Sequence, residues 1–211
     1  MKGKILVSEL IGTFALVFIG AGTVAVGNGV VAAALAHGLV VVAFAYAYGS
    51  YSGTHINPAV SFGMWVGKQI SLKQLLGYWI AQCSGGILAA GALFALLGEG
   101  PLGQTVLAEK ISPIQGFAIE SILTFFLVNT VFNTAVSGKG GQMSGLAIGL
   151  TLTFSILMGG TLTGASLNPA RTLGPAIASG EFANLWVYFA GPLLGGGLAG
   201  LLYSHFFKGD S

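Results

Sequence analysis

The sequence predicts an all-α membrane protein: six transmembrane helices plus two re-entrant half-helices, arranged as an inverted repeat. Composition is the first observation behind this. Charged residues make up 7% of the 211 residues, against the ~25% of a soluble globular domain. Hydrophobic residues make up 54%, and there are 35 glycines, which suits helices packed on small-residue faces and not a barrel of alternating strands. The second observation is a tripeptide that occurs twice, Asn57-Pro58-Ala59 and Asn168-Pro169-Ala170, at a separation of 168 − 57 = 111 residues. The third is that the same offset relates Glu9 to Glu120, Thr13 to Thr124, Phe14 to Phe125, Gly38 to Gly149, Gly53 to Gly164 and Gly63 to Gly174. The chain is an internal duplication.

A hydrocarbon layer of ~30 Å takes about 20 helical residues to cross. Six segments meet that length: Ile5 to Val26, Val30 to Ser50, Leu72 to Leu97, Ser112 to Val136, Gln142 to Gly160 and Ala183 to Phe207. The first follows Lys2 and Lys4 as a signal peptide would. Glu9 interrupts its apolar run and no small-residue cleavage site follows, so it reads as a retained helix. Three crossings per half make the second copy enter from the opposite side. The expected organisation is one channel-like domain over 1–211, built from repeats 1–100 and 112–211 and joined by an external loop.

Lys2, Lys4, Lys68, Lys73, Lys139 and Lys208 fall on one side of this arrangement, and only Lys110 and Arg171 on the other. Positive charge is retained on the cytoplasmic side, which predicts cytoplasmic termini. Between the spans, Tyr51 to Ser71 and Thr161 to Phe182 are too apolar for ordinary loops. They read as re-entrant segments, whose irregular backbone is tolerated only inside protein or along a water-filled path.

Asn is a favoured N-cap and Pro a favoured first helical residue. Each tripeptide therefore opens a short helix, from Pro58 to about Val66 and from Pro169 to about Ala178. At 1.5 Å per residue each is roughly 14 Å long, half the membrane. Their N-termini meet at the midplane, where two positive dipole ends oppose cations while a neutral solute passes at little cost. Each Asn amide can offer an N–H to a passing oxygen. The plainer reading of Asn-Pro as the start of a turn does not account for two copies in register inside apolar sequence.

Glu9 and Glu120 are intramembrane carboxylates, and a proton relay is one reading of them. Their equivalent places in the two halves favour a structural task instead, accepting N–H bonds from the backbone ahead of each half-helix. His55 can brace the first of these loops, and His205 reads as interfacial. Cys83 is the only cysteine, so no intrachain disulfide forms, and it reads as a small buried hydrophobe. No nucleophile with a base, zinc spacing or phosphate loop is present, so the chain is not expected to be an enzyme. A secondary carrier shares the inverted repeat but needs coupling charges that this sequence lacks. No cofactor, metal or nucleic-acid partner is expected; the surroundings are membrane lipid.

His55-Ile56-Asn57-Pro58-Ala59-Val60 and Asn168-Pro169-Ala170-Arg171 resemble the paired signature of the aquaporin, or major intrinsic protein, family. The resemblance covers nearly the whole chain and implies a passive channel with one pore per subunit, usually a homotetramer. By distance from each signature Asn it also implies a selectivity filter of His37, Ile156, Ala165 and Arg171, a set similar to that of plant tonoplast intrinsic proteins. That subgroup is associated with water and, in some members, with ammonia, urea or hydrogen peroxide. Glycerol-conducting relatives place an acidic residue after the signature Arg. Here Thr172 stands there, with Ala176 and the Tyr188-Phe189 pair also on the water-channel pattern. The implied function is a water channel that excludes protons and ions, with a glycerol or small-polyol facilitator as the alternative, and the plasma membrane as the expected location.

Overall fold

In the computed structural model, which describes residues 2–208, six long helices and two short ones follow one another without strands among the described residues. The long helices are α1 (Gly3–Ala25), α2 (Gly29–Ser52), α4 (Leu72–Leu97), α5 (Pro113–Val131), α6 (Ser144–Gly159) and α8 (Leu185–Leu202); the short ones are α3 (Pro58–Val66) and α7 (Pro169–Ser179). A 3₁₀ turn at Gly141–Met143 leads into α6, and wide π-type turns at Phe132–Val136 and Tyr203–Phe207 prolong α5 and α8. With these turns included, all six spans run 19 to 26 residues. That is enough to cross a bilayer, and the chain is a multi-pass integral membrane protein.

The expected helix ends shift by a few residues, for local reasons. Asn184 takes a left-handed conformation, φ 54°, so α8 starts at Leu185 and not at Ala183. Ser71 and Ser112 cap α4 and α5 in reciprocal boxes with Gln74 and Gln115, which satisfies two orphan N–H groups at each helix start.

Glycines set how closely the helices approach. A Cβ on Gly85 of α4 would meet the Leu10 carbonyl and the Phe14 amide of α1, and one on Gly195 of α8 would meet the Ser121 carbonyl and the Phe125 amide of α5. Leu10 and Ser121, like Phe14 and Phe125, stand 111 residues apart, so the two contacts are one contact built twice. Gly38 of α2 and Gly149 of α6 each face the other's carbonyl, which places the pseudo-two-fold axis between them. The half-helices cross over. Gly196 of α8 abuts the Ala59 carbonyl of α3, and Gly86 of α4 abuts the Ala170 carbonyl of α7. Each half-helix is thus seated on the third long helix of the other repeat.

The segment between α4 and α5 is more than a surface connection. Leu102 and Thr105 are buried, the Ala108 amide donates to the Leu162 carbonyl at 2.8 Å, and Gly103 lies against the backbone of Ala21. The loop dips between α1 and the segment ahead of α7.

Candidate functional site

Both signature asparagines cap their half-helices and also hold them together. The Asn57 Oδ1 accepts from the Ala59 amide at 2.8 Å, while its Nδ2 donates to the Leu167 carbonyl at 2.8 Å. Asn168 repeats this, accepting from Ala170 at 3.0 Å and donating to the Ile56 carbonyl at 2.9 Å. Leu167 and Ile56 are the residues just before the opposite asparagines, so the two loops are cross-braced at the centre. An amide nitrogen has two N–H bonds, and this brace engages one of each. Both side chains line the narrow cavity described below, where the second can serve a passing oxygen.

The backbone before each half-helix is unusual and is held by one carboxylate. Glu9 accepts from the Ser52 hydroxyl at 2.6 Å, the His55 amide at 2.9 Å and the Ile56 amide at 2.6 Å. Glu120 accepts from the Thr163 hydroxyl at 2.7 Å, the Ser166 amide at 3.0 Å and the Leu167 amide at 2.8 Å. All three partners match at the 111 offset. Between them Thr54, Ile56, Ala165 and Leu167 all have positive φ, 49°, 42°, 42° and 53°, a region side-chain-bearing residues avoid at a cost of about 1–3 kcal/mol each. Charge-assisted bonds to a buried acid are strong enough to hold such turns.

The halves differ where Gln82 of α4 donates to both Glu9, at 2.8 Å, and the Ser61 hydroxyl, at 2.9 Å. The His55 ring contacts the same hydroxyl at 3.0 Å and meets Tyr78 edge-on. In the second half the corresponding hydroxyls of Ser166 and Thr172 lie 2.6 Å apart, and Thr172 reaches Thr105 of the α4–α5 loop at 2.8 Å.

Three cavities follow one another through the bundle. On the side of the α4–α5 loop a cavity of about 420 Å³ is lined by Gln104, Val106, Ile156, Gly164, His37 and Arg171, among others. His37 and Arg171 also line the next, a narrow cavity of about 60 Å³ that passes both asparagines. That volume holds only a short file of waters. The third, about 540 Å³, opens on the side of the termini and shares Ala45, Gly53, His55, Val131, Ala135 and Ile148 with the second. Apart from the asparagines, most of the narrow stretch is apolar, with Leu16, Val41, Val60, Leu127 and Leu152 on its walls.

At the loop-side mouth the His37 Nδ1 lies 2.7 Å from the Ala33 carbonyl. A carbonyl can only accept, so Nδ1 carries the hydrogen, and in the neutral ring Nε2 is a bare acceptor. That Nε2 is buried with no protein partner. Arg171 is 2% exposed, its Nη1 donates to the Gly103 carbonyl, and its Nε has no partner. The mouth therefore holds one acceptor and one donor that no protein group satisfies.

Of the residues singled out from the sequence, His37, Ile156 and Arg171 come together at this mouth, Asn57 and Asn168 at the centre, and His55 at the junction with the third cavity. Ala165 sits apart from the lining. Its methyl packs toward Gly159 of α6, while its neighbours Gly164 and Ser166 line the first and second cavities. Pro58, Ala59, Pro169 and Ala170 are buried behind the asparagines. Gly103 and Gln82 were not anticipated. Gln82 carried a signal, an amide in the middle of an apolar span that needs a partner. Gly103 carried none beyond being a loop glycine. Among the described residues no three His, Cys, Asp or Glu side chains gather as a metal site requires.

Comparison with known proteins agrees with this architecture. A family model described as major intrinsic protein matches residues 2–203. Aquaporin TIP2-1 of Zea mays is 40% identical over 222 residues, covering 99% of this chain and 89% of the relative. Aquaporin TIP2-1 of Arabidopsis thaliana is 43% identical over 186 residues, covering 87% and 74%. Among solved structures, the X-ray structure of the aquaglyceroporin from Plasmodium falciparum superimposes with a TM-score of 0.85 at 25% identity, covering 97% of this chain and 96% of that one. A six-span bundle with two half-helices meeting at its centre, matched in sequence from one end to the other, places this chain in the major intrinsic protein family, whose aquaporins are channels and not enzymes.

Proposed function

We propose that the chain is a passive channel that carries water in single file down an osmotic gradient, with passage for small neutral solutes such as ammonia, urea or hydrogen peroxide. The observation that carries this reading is the series of three cavities linked by shared lining residues, wide toward both faces and about 60 Å³ between them. Asn57 and Asn168 form the midplane contact, where one N–H of each amide orients a water, and the N-termini of α3 and α7 repel cations and protonated water. His37, Ile156 and Arg171 form the selectivity filter, and Ala165 belongs to it through its place in the left-handed turn. Glu9, Glu120 and His55 hold the loops.

The relatives named TIP, for tonoplast intrinsic protein, support the water reading and give the plasma-membrane expectation no support. The placement of six lysines on one side supports cytoplasmic termini. The repeats 1–100 and 112–211 act as one channel unit. Exposed apolar residues such as Leu39, Ile80 and Phe154 suit lipid or the faces of a homotetramer.

The test is osmotic shrinkage of proteoliposomes followed by light scattering, beside empty vesicles. Shrinkage much faster than the lipid allows, with a low activation energy, is the expected result. Shrinkage equal to that of empty vesicles from an intact preparation overturns the water reading. The same vesicles in a glycerol gradient test the polyol alternative, which the likeness to an aquaglyceroporin favours. Glycerol flux comparable with water flux would establish it.

A further inference from the structure

We propose that Gly20 of α1 is a specificity-determining position of this channel, acting through the imidazole of His37. A Cβ built on Gly20 would fall almost equally close to Nε2, Cδ2 and Cε1 of that ring. An atom lying beyond the ring edge would be much farther from two of these, so the missing carbon stands over the ring face. The bare Gly20 Cα is the flat seat of the imidazole. The ring is pinned at its other end by the Nδ1 bond to Ala33, and the plane so fixed leaves the Nε2 lone pair unengaged by protein. His37 lines both the loop-side and the narrow cavity, and Gly20 lines neither. Gly20 therefore stands behind the ring, and anything added there drives the ring toward the lumen.

The other end of the path shows the contrast. The 111 offset carries His37 to Ile148 and Gly20 to Val131, and both counterparts line the narrow cavity where it meets the terminal-side cavity. There the equivalent pair is two branched apolar side chains, with no flat ring to seat. Gly20 thus goes with the imidazole, and it sets how far that ring reaches across the mouth. The nearest neighbour at Gly20 is a side chain, which can move, but this one is buried and hydrogen-bonded at 2.7 Å. Reaching ordinary contact with a new methyl takes a shift of about 1 Å.

The inference rests on the channel reading above, and the experiment separates the two. Osmotic water flux and urea flux are measured in proteoliposomes of the wild type, Gly20→Ala, His37→Ala and the double variant. The expected result is a fall of about tenfold in water flux for Gly20→Ala, with urea reduced further, because a single-file path is most sensitive at its narrowest ring. Restoration to the His37→Ala level in the double variant is also expected, since removing the ring removes the obstruction. Gly20→Ala flux and solute ratio equal to wild type overturn the proposal. So does a double variant as slow as Gly20→Ala, which would place the damage elsewhere in α1. A wild type without water flux overturns the channel reading instead. Should Gly20→Ala fail to fold, solid-state NMR of the wild type in bilayers decides: a seated ring shifts the Gly20 Hα upfield and gives contacts from Hα to His37 Hε1 and Hδ2, and their absence overturns the proposal.

Discussion

The Arg171 guanidinium donates to the carbonyl of Gly103, so the one cation at the mouth is anchored by a loop 68 residues away in sequence. Gly103 has φ +74°, and a Cβ there would strike the backbone of Ala21. Gly103→Ala is expected to cost about 1–3 kcal/mol and to loosen Arg171, raising urea flux relative to water flux. Gly98→Ala is the control. Gly98 shares a positive φ, +79°, with open space around it, so a comparable loss of thermal stability with an unchanged solute ratio is expected there. Equal solute ratios in both variants would contradict the anchoring role.

Replacing either carboxylate with its amide tests the struts. In Glu120→Gln, one oxygen that accepts from the Leu167 amide or from Thr163 and Ser166 becomes an NH₂ facing a donor. A loss of roughly 1.5–3 kcal/mol per charge-assisted bond is expected, read as a lower unfolding temperature in detergent. Glu9→Gln should behave alike, because its backbone partners stand at equivalent positions. A proton relay would instead leave stability intact and alter proton flux.

Asn57→Asp keeps the cap on Ala59 but turns a donor toward the Leu167 carbonyl into an acceptor. It breaks one arm of the central brace and puts an acid where two helix N-termini now exclude cations. A measurable proton or sodium leak in dye-loaded vesicles is expected, with water flux reduced by less than tenfold. Vesicles as tight as wild type would argue that the dipoles and Arg171 suffice without the amide.

Gly195→Leu tests the helix packing. The new side chain would meet the Ser121 carbonyl and Phe125 amide of α5, and overpacking of this kind costs about 1–3 kcal/mol or more. Gly85→Leu should cost a similar amount against α1, since the contact is repeated there. A clear difference between the two unfolding temperatures would show that the repeats are less alike in energy than in geometry.

The elements that the sequence exposed are those set by local rules. Span length and the Asn-Pro start of α3 and α7 depend on neighbouring residues, and they fall within a few positions of expectation. The glutamates were legible because a carboxylate inside a bilayer needs partners and these two share an offset. The cross-brace was not: capping by Oδ1 follows from Asn57 alone, whereas the target of its Nδ2 lies 110 residues away. Gly103 and Gly20 were hidden for the same reason, since what each glycine accommodates comes from another segment. Ala165 was placed by its distance from Asn168 alone, and the left-handed turn that directs its methyl toward Gly159 of α6 could not be read from that spacing.

The seating of each half-helix on the opposite repeat bears on how the chain is made. α3 lies against Gly196 of α8, the sixth span to leave the ribosome, so until α8 emerges the first half-helix rests chiefly on α4, through Trp79 to the Pro58 carbonyl and Gln82 to Ser61. A nascent chain stopped after α7 lacks that wall, and its 58–66 segment should be open to modification by thiol reagents at introduced cysteines until α8 enters. The first half-helix thus gains its full support only once the sixth span has inserted.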